Sequence, residues 1–97
     1  MVIEIVTFRL ADGTDEAAFL TADQRVQTEF FYLQPGLVRR TTARGADGDW
    51  LVLVFWDRRQ DAESAGEASK DHPAVQAFMS LIDGSTYRVE RFEALEG

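Results

Sequence analysis

Cysteine is missing from this chain of 97 residues. Its absence removes a disulfide framework, thiolate metal ligands, iron–sulfur clusters and a thiol nucleophile together. Histidine occurs once, at His72, so a zinc site built on a histidine pair is excluded and no metal is expected. No glycine-rich phosphate loop and no nucleophile elbow is present. The longest apolar run, Trp50 to Trp56, has seven residues, far short of the roughly 20 that span a bilayer. Val2-Ile3-Glu4-Ile5-Val6 follows Met1 directly, with no basic leader and no small-residue cleavage site. A cytoplasmic location and no membrane partner are the expectation. Basic residues are scarce too: 10 Lys and Arg stand against 17 Asp and Glu, a formal net charge of −7. Such a surface does not displace counterions along a phosphate backbone, so no nucleic-acid partner is expected.

What is present is a hydrophobic fraction of 45% arranged in clear periods. Residues 2–9 (VIEIVTFR) are β-branched and aromatic and read as a strand. Ala11-Asp12-Gly13-Thr14 is a turn, and Asp15 and Glu16 place negative charge where a helix dipole favours it. Phe19, Ala22, Val26, Phe30 and Leu33 then recur at spacings of three and four, one stripe of an amphipathic helix that Pro35-Gly36 stops. Residues 37–44 (LVRRTTAR) form a second strand, Gly45 to Asp49 a hairpin turn, and residues 50–56 (WLVLVFW) a third strand. The segment 58–70 is rich in small residues, and Ala62, Ala65, Gly66 and Ser69 at helical spacing let a short helix lie close to the sheet. Asp71-His72-Pro73 opens a further helix with the stripe Val75, Phe78, Met79 and Ile82, and residues 86–93 (TYRVERFE) form the last strand.

The order is β-α-β-β-α-β with the second helix broken in two. Two right-handed crossovers sharing one antiparallel sheet give an α+β, ferredoxin-like fold with strand order 4-1-3-2 and the helices on one face. A chain of this length supports one core, so residues 1–97 are read as a single domain. A sheet with water on one face should alternate apolar and polar residues. The third strand does not: Trp50, Val52, Val54 and Trp56 point one way while Leu51, Leu53 and Phe55 point the other. The first strand likewise divides Ile3 and Ile5 from Val2, Val6 and Phe8. Leaving one such set in water costs of the order of 10 kcal/mol. The expected cover is a second copy of the chain, stacked sheet to sheet in a closed homodimer.

This element order, the doubly apolar third strand, the Pro35-Gly36-Leu37 turn leading into an Arg/Thr strand, and the His72-Pro73 helix start resemble the dimeric α/β-barrel superfamily. Within it the chain is most similar to the antibiotic-biosynthesis-monooxygenase-like branch. The resemblance covers essentially the whole chain and rests on pattern. It implies a homodimer, and its members range from cofactor-free monooxygenases acting on polycyclic aromatics to haem-degrading enzymes, lactone isomerases and haem-binding peroxidases. The haem-degrading branch uses an asparagine, a tryptophan and a histidine together. This chain has no asparagine, and the first strand offers Thr7 in the corresponding region, so haem degradation by that route is not expected. No cofactor is implied.

Six residues are candidates for a site. His72 is the side chain whose ordinary pKa suits proton transfer near neutrality, and a helix N-terminus biases it towards the neutral base. The plainer alternative is a helix-starting surface histidine, and the family's histidine would fall nearer Ala65-Gly66-Glu67. Trp56 ends the third strand, where the resemblance implies a tryptophan over the cavity; otherwise it is core. Asp23 lies at the border of the long helix's stripe, where it either faces a cavity as a base or pairs with an arginine of the second strand. Tyr32 lies on the same helix. Arg40 and Thr42 share a strand face and present a cation and a hydroxyl to an anionic or phenolic ligand, unless that strand is simply a solvated edge. The remaining carboxylates scatter over turns and solvated faces.

Two functional readings remain open. One is a cofactor-independent monooxygenase or isomerase that holds an aromatic or polyketide-like molecule, with catalytic His72 or Asp23 and with Trp56, Arg40, Tyr32 and Thr42 binding substrate. The other is a non-catalytic dimer that binds a small apolar or aromatic ligand or serves assembly alone. A ligand-sized cavity with converging polar groups distinguishes them.

Overall fold

The structure is a computed structural model and describes residues 1–96; Gly97, included in the single domain expected from sequence, lies outside the described residues. The regular elements are β1 (Val2–Arg9), α1 (Glu16–Glu29), β2 (Leu37–Arg44), β3 (Asp49–Trp56), α2 (Arg59–Ser69), α3 (Pro73–Ser80) and β4 (Arg88–Glu93). They form one antiparallel sheet in the order β2-β3-β1-β4, the ferredoxin-like 4-1-3-2 arrangement expected from the pattern. No helix among the described residues is long and apolar enough to cross a membrane.

The register settles which apolar set meets the helices. Val2 pairs with Trp56, Val6 with Val52 and Phe8 with Trp50, and these six side chains are buried in one core with Phe19, Val26, Phe30 and Phe78. The small residues Ala62 and Ala65 bring α2 close to this face, as their spacing predicts. On the opposite face, Ile3 pairs with Phe55 and Phe92, and Ile5 with Leu53. None of these belongs to the core, and Phe92 is 48% exposed.

Four boundaries differ from the sequence reading, one of them the end of α3 at Ser80, which leaves Ile82 of its stripe beyond the helix, bridged to Leu10. Helix α1 ends at Glu29, because Phe30 leaves helical geometry (φ −123°, ψ −66°) and Phe31–Leu33 turn as a 3₁₀ segment. The turn packs the Phe31 ring edge-on against Phe30 and puts Leu33 in solvent at 72% exposure, off the stripe. Strand β4 starts at Arg88 rather than residue 86, since Gly84–Thr86 form another 3₁₀ turn whose Thr86 hydroxyl accepts the Arg9 N–H at 2.9 Å. Strand β3 begins one residue earlier, at Asp49.

Helix α1 thus stops before Pro35-Gly36, the pair expected to end it, and Gly36 instead turns the chain from the 3₁₀ segment into β2. Its φ of +81° lies in the left-handed region, and a Cβ there would overlap the buried Asp61 carboxyl at the start of α2. Its carbonyl also accepts the Asp57 N–H at 2.8 Å, fastening the start of β2 beside the end of β3. Gly36→Ala is therefore expected to lower stability by about 1–3 kcal/mol from backbone strain, with the overlap added, read as a lower urea midpoint. An unchanged midpoint would show that this junction yields.

Candidate functional site

Between the helix-facing side of the sheet and the helices lies a cavity of about 200 Å³. Its sheet wall is Val6, Val52, Val54 and Trp56, and its far wall is Phe30, Phe31, Val75, Phe78 and Met79. Ala62, Ala65, Gly66 and Ser69 of α2 complete it. The void follows from residue size, because α2 presents small side chains where a leucine would fill the gap. Besides Ser69, four polar residues reach this apolar chamber: Glu4, Arg40, Tyr87 and Arg91.

Glu4 sits on β1 between Val2 and Val6, on the core side of the central strand. Its carboxylate is 12% exposed and tolerates that burial through two charge-assisted hydrogen bonds. The Trp56 indole Nε1–H donates to Oε1 and Arg91 Nε–H donates to Oε2, each at 2.7 Å. Strand pairing produces this cluster: Arg91 is opposite Glu4 across β1 and β4.

Arg40 projects from β2 opposite Val54 with a side chain only 2% exposed. Its Nη2 donates to Asp23 Oδ1 at 2.7 Å and its Nη1 to Gln27 Oε1 at 2.9 Å, tying β2 to α1. The guanidinium carbon lies 4.7 Å from the centre of the Phe31 ring, a cation–π contact. Its Nε is a buried polar atom with no partner among the described residues.

Tyr87 leads into β4 and stacks on Phe8 at 6.3 Å between ring centres. Burial, and then the Glu4 carboxylate, push its phenol above the ordinary value of 10.0 against the pull of Arg40. It therefore stays a neutral O–H donor throughout the physiological range.

No family model matches the sequence, and no curated protein matches it. Solved structures do match. An asparagine-to-alanine variant of SnoaB, a cofactor-independent oxygenase from Streptomyces nogalater, has a TM-score of 0.80 at 23% identity, covering 99% of this chain and 94% of that one. A candidate antibiotic biosynthesis monooxygenase from Nitrosomonas europaea has a TM-score of 0.75 at 17% identity, covering 99% and 100%. A similar protein from Bordetella bronchiseptica has a TM-score of 0.80 at 12% identity, covering 98% and 97%. The fold is the antibiotic-biosynthesis-monooxygenase-like fold.

Within that monooxygenase-like fold the six candidate residues separate. Trp56, 1% exposed, and Arg40 line the cavity. Asp23 and Thr42 stand behind Arg40: the Thr42 hydroxyl donates to Asp23 Oδ1 at 2.9 Å, so Asp23 pairs with the second strand's arginine and leaves the cavity wall to it. His72 lies one ring back. It caps α3 by accepting the Ala74 N–H at Nδ1, and meets the edge of Phe30 at 5.2 Å between ring centres. Tyr32 is 61% exposed and accepts a hydrogen bond from Gln27 on the outer surface. Glu4, Tyr87 and Arg91 were not among the candidates. The signal for Glu4 was its place in the alternation, with Val2, Val6 and Phe8 on the core side of a central strand.

Two outcomes are expected. Asp23→Ala strands the buried Arg40 cation and should cost about 3–5 kcal/mol, whereas replacing both partners by Leu and Met recovers most of it; a denaturant double-mutant cycle without coupling contradicts this. The folded chain holds the Tyr87 proton that the unfolded chain releases near 10.0. Stability is accordingly expected to fall as pH rises above about 10 and to fall less in Tyr87→Phe, as thermal melts at several pH values will show.

Proposed function

We propose that the chain is a cofactor-independent monooxygenase that works as a homodimer and oxidises an aromatic substrate held in this cavity. The observation that carries the reading is the chamber itself. It is walled by apolar and aromatic side chains and reached by one carboxylate, Glu4, and by the donors Arg40 and Tyr87. The likeness of fold to SnoaB, named a cofactor-independent oxygenase, supports it.

The chemistry asks little of the protein because the substrate supplies the electrons. A ring methylene made acidic by a neighbouring carbonyl gives a proton to Glu4, and the donors hold the resulting enolate oxygen. Dioxygen adds to the carbanion carbon, and the proton returns to the peroxide. Loss of water from the hydroperoxide leaves a ketone. In balance, R₂CH₂ and O₂ become R₂C=O and H₂O, one oxygen atom going to each product. Glu4 takes the proton role expected of His72 or Asp23, because its carboxylate is the one at the cavity wall.

The homodimer reading is supported by the uncovered sheet face, where Ile3, Ile5, Leu53, Phe55 and Phe92 form a continuous apolar strip. A second copy applied face to face buries it, and the helix side with its cavity stays free.

Oxygen-electrode measurements with anthrone and naphthohydroquinone test the activity. The expected result is one O₂ consumed per ketone formed, with turnover lost in Glu4→Gln. Uptake no faster than autoxidation in buffer, with ligand bound, leaves the non-catalytic binding reading instead. Sedimentation should give twice the 10.9 kDa chain mass, and Leu53→Lys should give a folded monomer; a wild-type monomer at micromolar concentration contradicts the dimer.

A further inference from the structure

The helices cover the sheet unevenly. At the β2 edge Arg40 is buried and bonded to Asp23 and Gln27 of α1. The β4 edge has no such cover. Register places Val89 opposite Val6 and Arg91 opposite Glu4, on the face where Val2, Val6 and Phe8 meet the helices. Yet Val89 is 45% exposed and the Arg91 side chain 33%, and no residue of β4 is buried.

This uncovered flank coincides with a break in the cavity wall. The lining residues that are exposed are Val89 and Arg91 of β4 and Gly66 of α2. Every other lining residue is buried or half-buried. The chamber therefore meets solvent between α2 and β4.

The two sides of the break differ in kind. Gly66 lies inside α2, where glycine weakens a helix relative to alanine. It belongs to the row Ala62, Gly66 and Ser69, spaced four and three along one helix face, and all three line the cavity. A Cβ added at Gly66 meets nothing within 4 Å outside its own turn of helix, so packing does not require the glycine. Its effect is to leave space at the rim. Arg91, on the facing side, makes one side-chain bond among the described residues, from its Nε–H to Glu4 Oε2 at 2.7 Å. Water reaches the Arg91 end of that pair, so a guanidinium that leaves Glu4 is solvated at once.

We infer that the cavity is entered between α2 and β4, through a gap that Gly66 keeps open and that Arg91 gates. The inference rests on the cavity being the ligand site, as proposed above. A molecule entering the chamber passes Arg91, and release of Arg91 from Glu4 opens the way and frees Oε2 in one motion. Access to the chamber and the availability of its carboxylate are thereby coupled through a single side chain.

Acrylamide quenching of Trp56 fluorescence reads the entrance without a substrate, because the indole is enclosed at the cavity wall. Trp50→Phe removes the second tryptophan as a background; should that background fail to fold, the two-tryptophan chain gives the same ranking of variants. Gly66→Leu fills the gap and is expected to lower the bimolecular quenching constant by about 3-fold or more. Gly66→Ala, which strengthens the helix without the bulk, is expected to leave it unchanged. Arg91→Ala should raise it about 3-fold, and Gly66→Leu added to Arg91→Ala should cancel the rise. Quenching unmoved by Gly66→Leu overturns the inference. So does an equal fall in Gly66→Ala, which would make helix stability the cause, or a rise in Arg91→Ala that survives the leucine, which would make general loosening the cause. The expected pattern in a chain that consumes no oxygen upholds the entrance and removes the oxygenase reading alone; an active chain with unmoved quenching does the reverse.

Discussion

Arg40 carries its charge in a place that water scarcely reaches, and the architecture of the helix-facing side depends on how that charge is held. A guanidinium buried to this degree is tolerated only with a counter-ion and hydrogen-bond acceptors at hand. Asp23 and Gln27 provide them from a single face of α1, one turn apart. The pair thus sets the position of α1 over β2 and β3, and with it the far wall of the cavity formed by Phe30 and Phe31. Phe31 in turn lies over the guanidinium. A hydrophobic pair would hold the same elements at comparable stability. It would not set a guanidinium against the Phe31 ring at the cavity wall.

The sheet divides its work between its faces. Because β3 is apolar on both sides, the chain is able to build a core with one set and an unsheltered strip with the other. The core side bears a defect in packing, opposite the small residues of α2, and polar groups from β1, β2 and β4 line it. Among the described residues the open side contains no comparable set of buried polar groups: its edges carry Arg39, Arg88 and Glu90, and its centre is aliphatic and aromatic. Association and chemistry, as proposed, therefore use different side chains of the same strands.

Periodicity made the elements and the strand order legible, since each strand and helix shows its own repeat and the order admits few topologies. The pattern showed two apolar faces on β3 without showing which one the helices take; that depends on register and on the handedness of the crossovers. Leu33 illustrates the limit for helices, because a spacing that continues the stripe says nothing about a backbone that leaves helical geometry at Phe30. In the site, Arg40 was visible from its place on a strand face and Trp56 through the resemblance. The pairing of Asp23 with a second-strand arginine was one of two visible options, and the register decided it. The Glu4–Trp56–Arg91 cluster joins three strands far apart in sequence, so cross-strand pairing alone reveals it. Tyr87 was read as part of a regular strand, and its role comes from the turn that precedes β4.

The most direct measurement is a crystal structure of the chain soaked with a bromine-bearing α-tetralone, the ring located by the anomalous signal of the bromine. The expected result is the ring among Phe30, Phe78 and Trp56, in the cavity between the sheet and the helices. Bromine found only on the open face of the sheet, or no ring bound in the cavity at all, would contradict it.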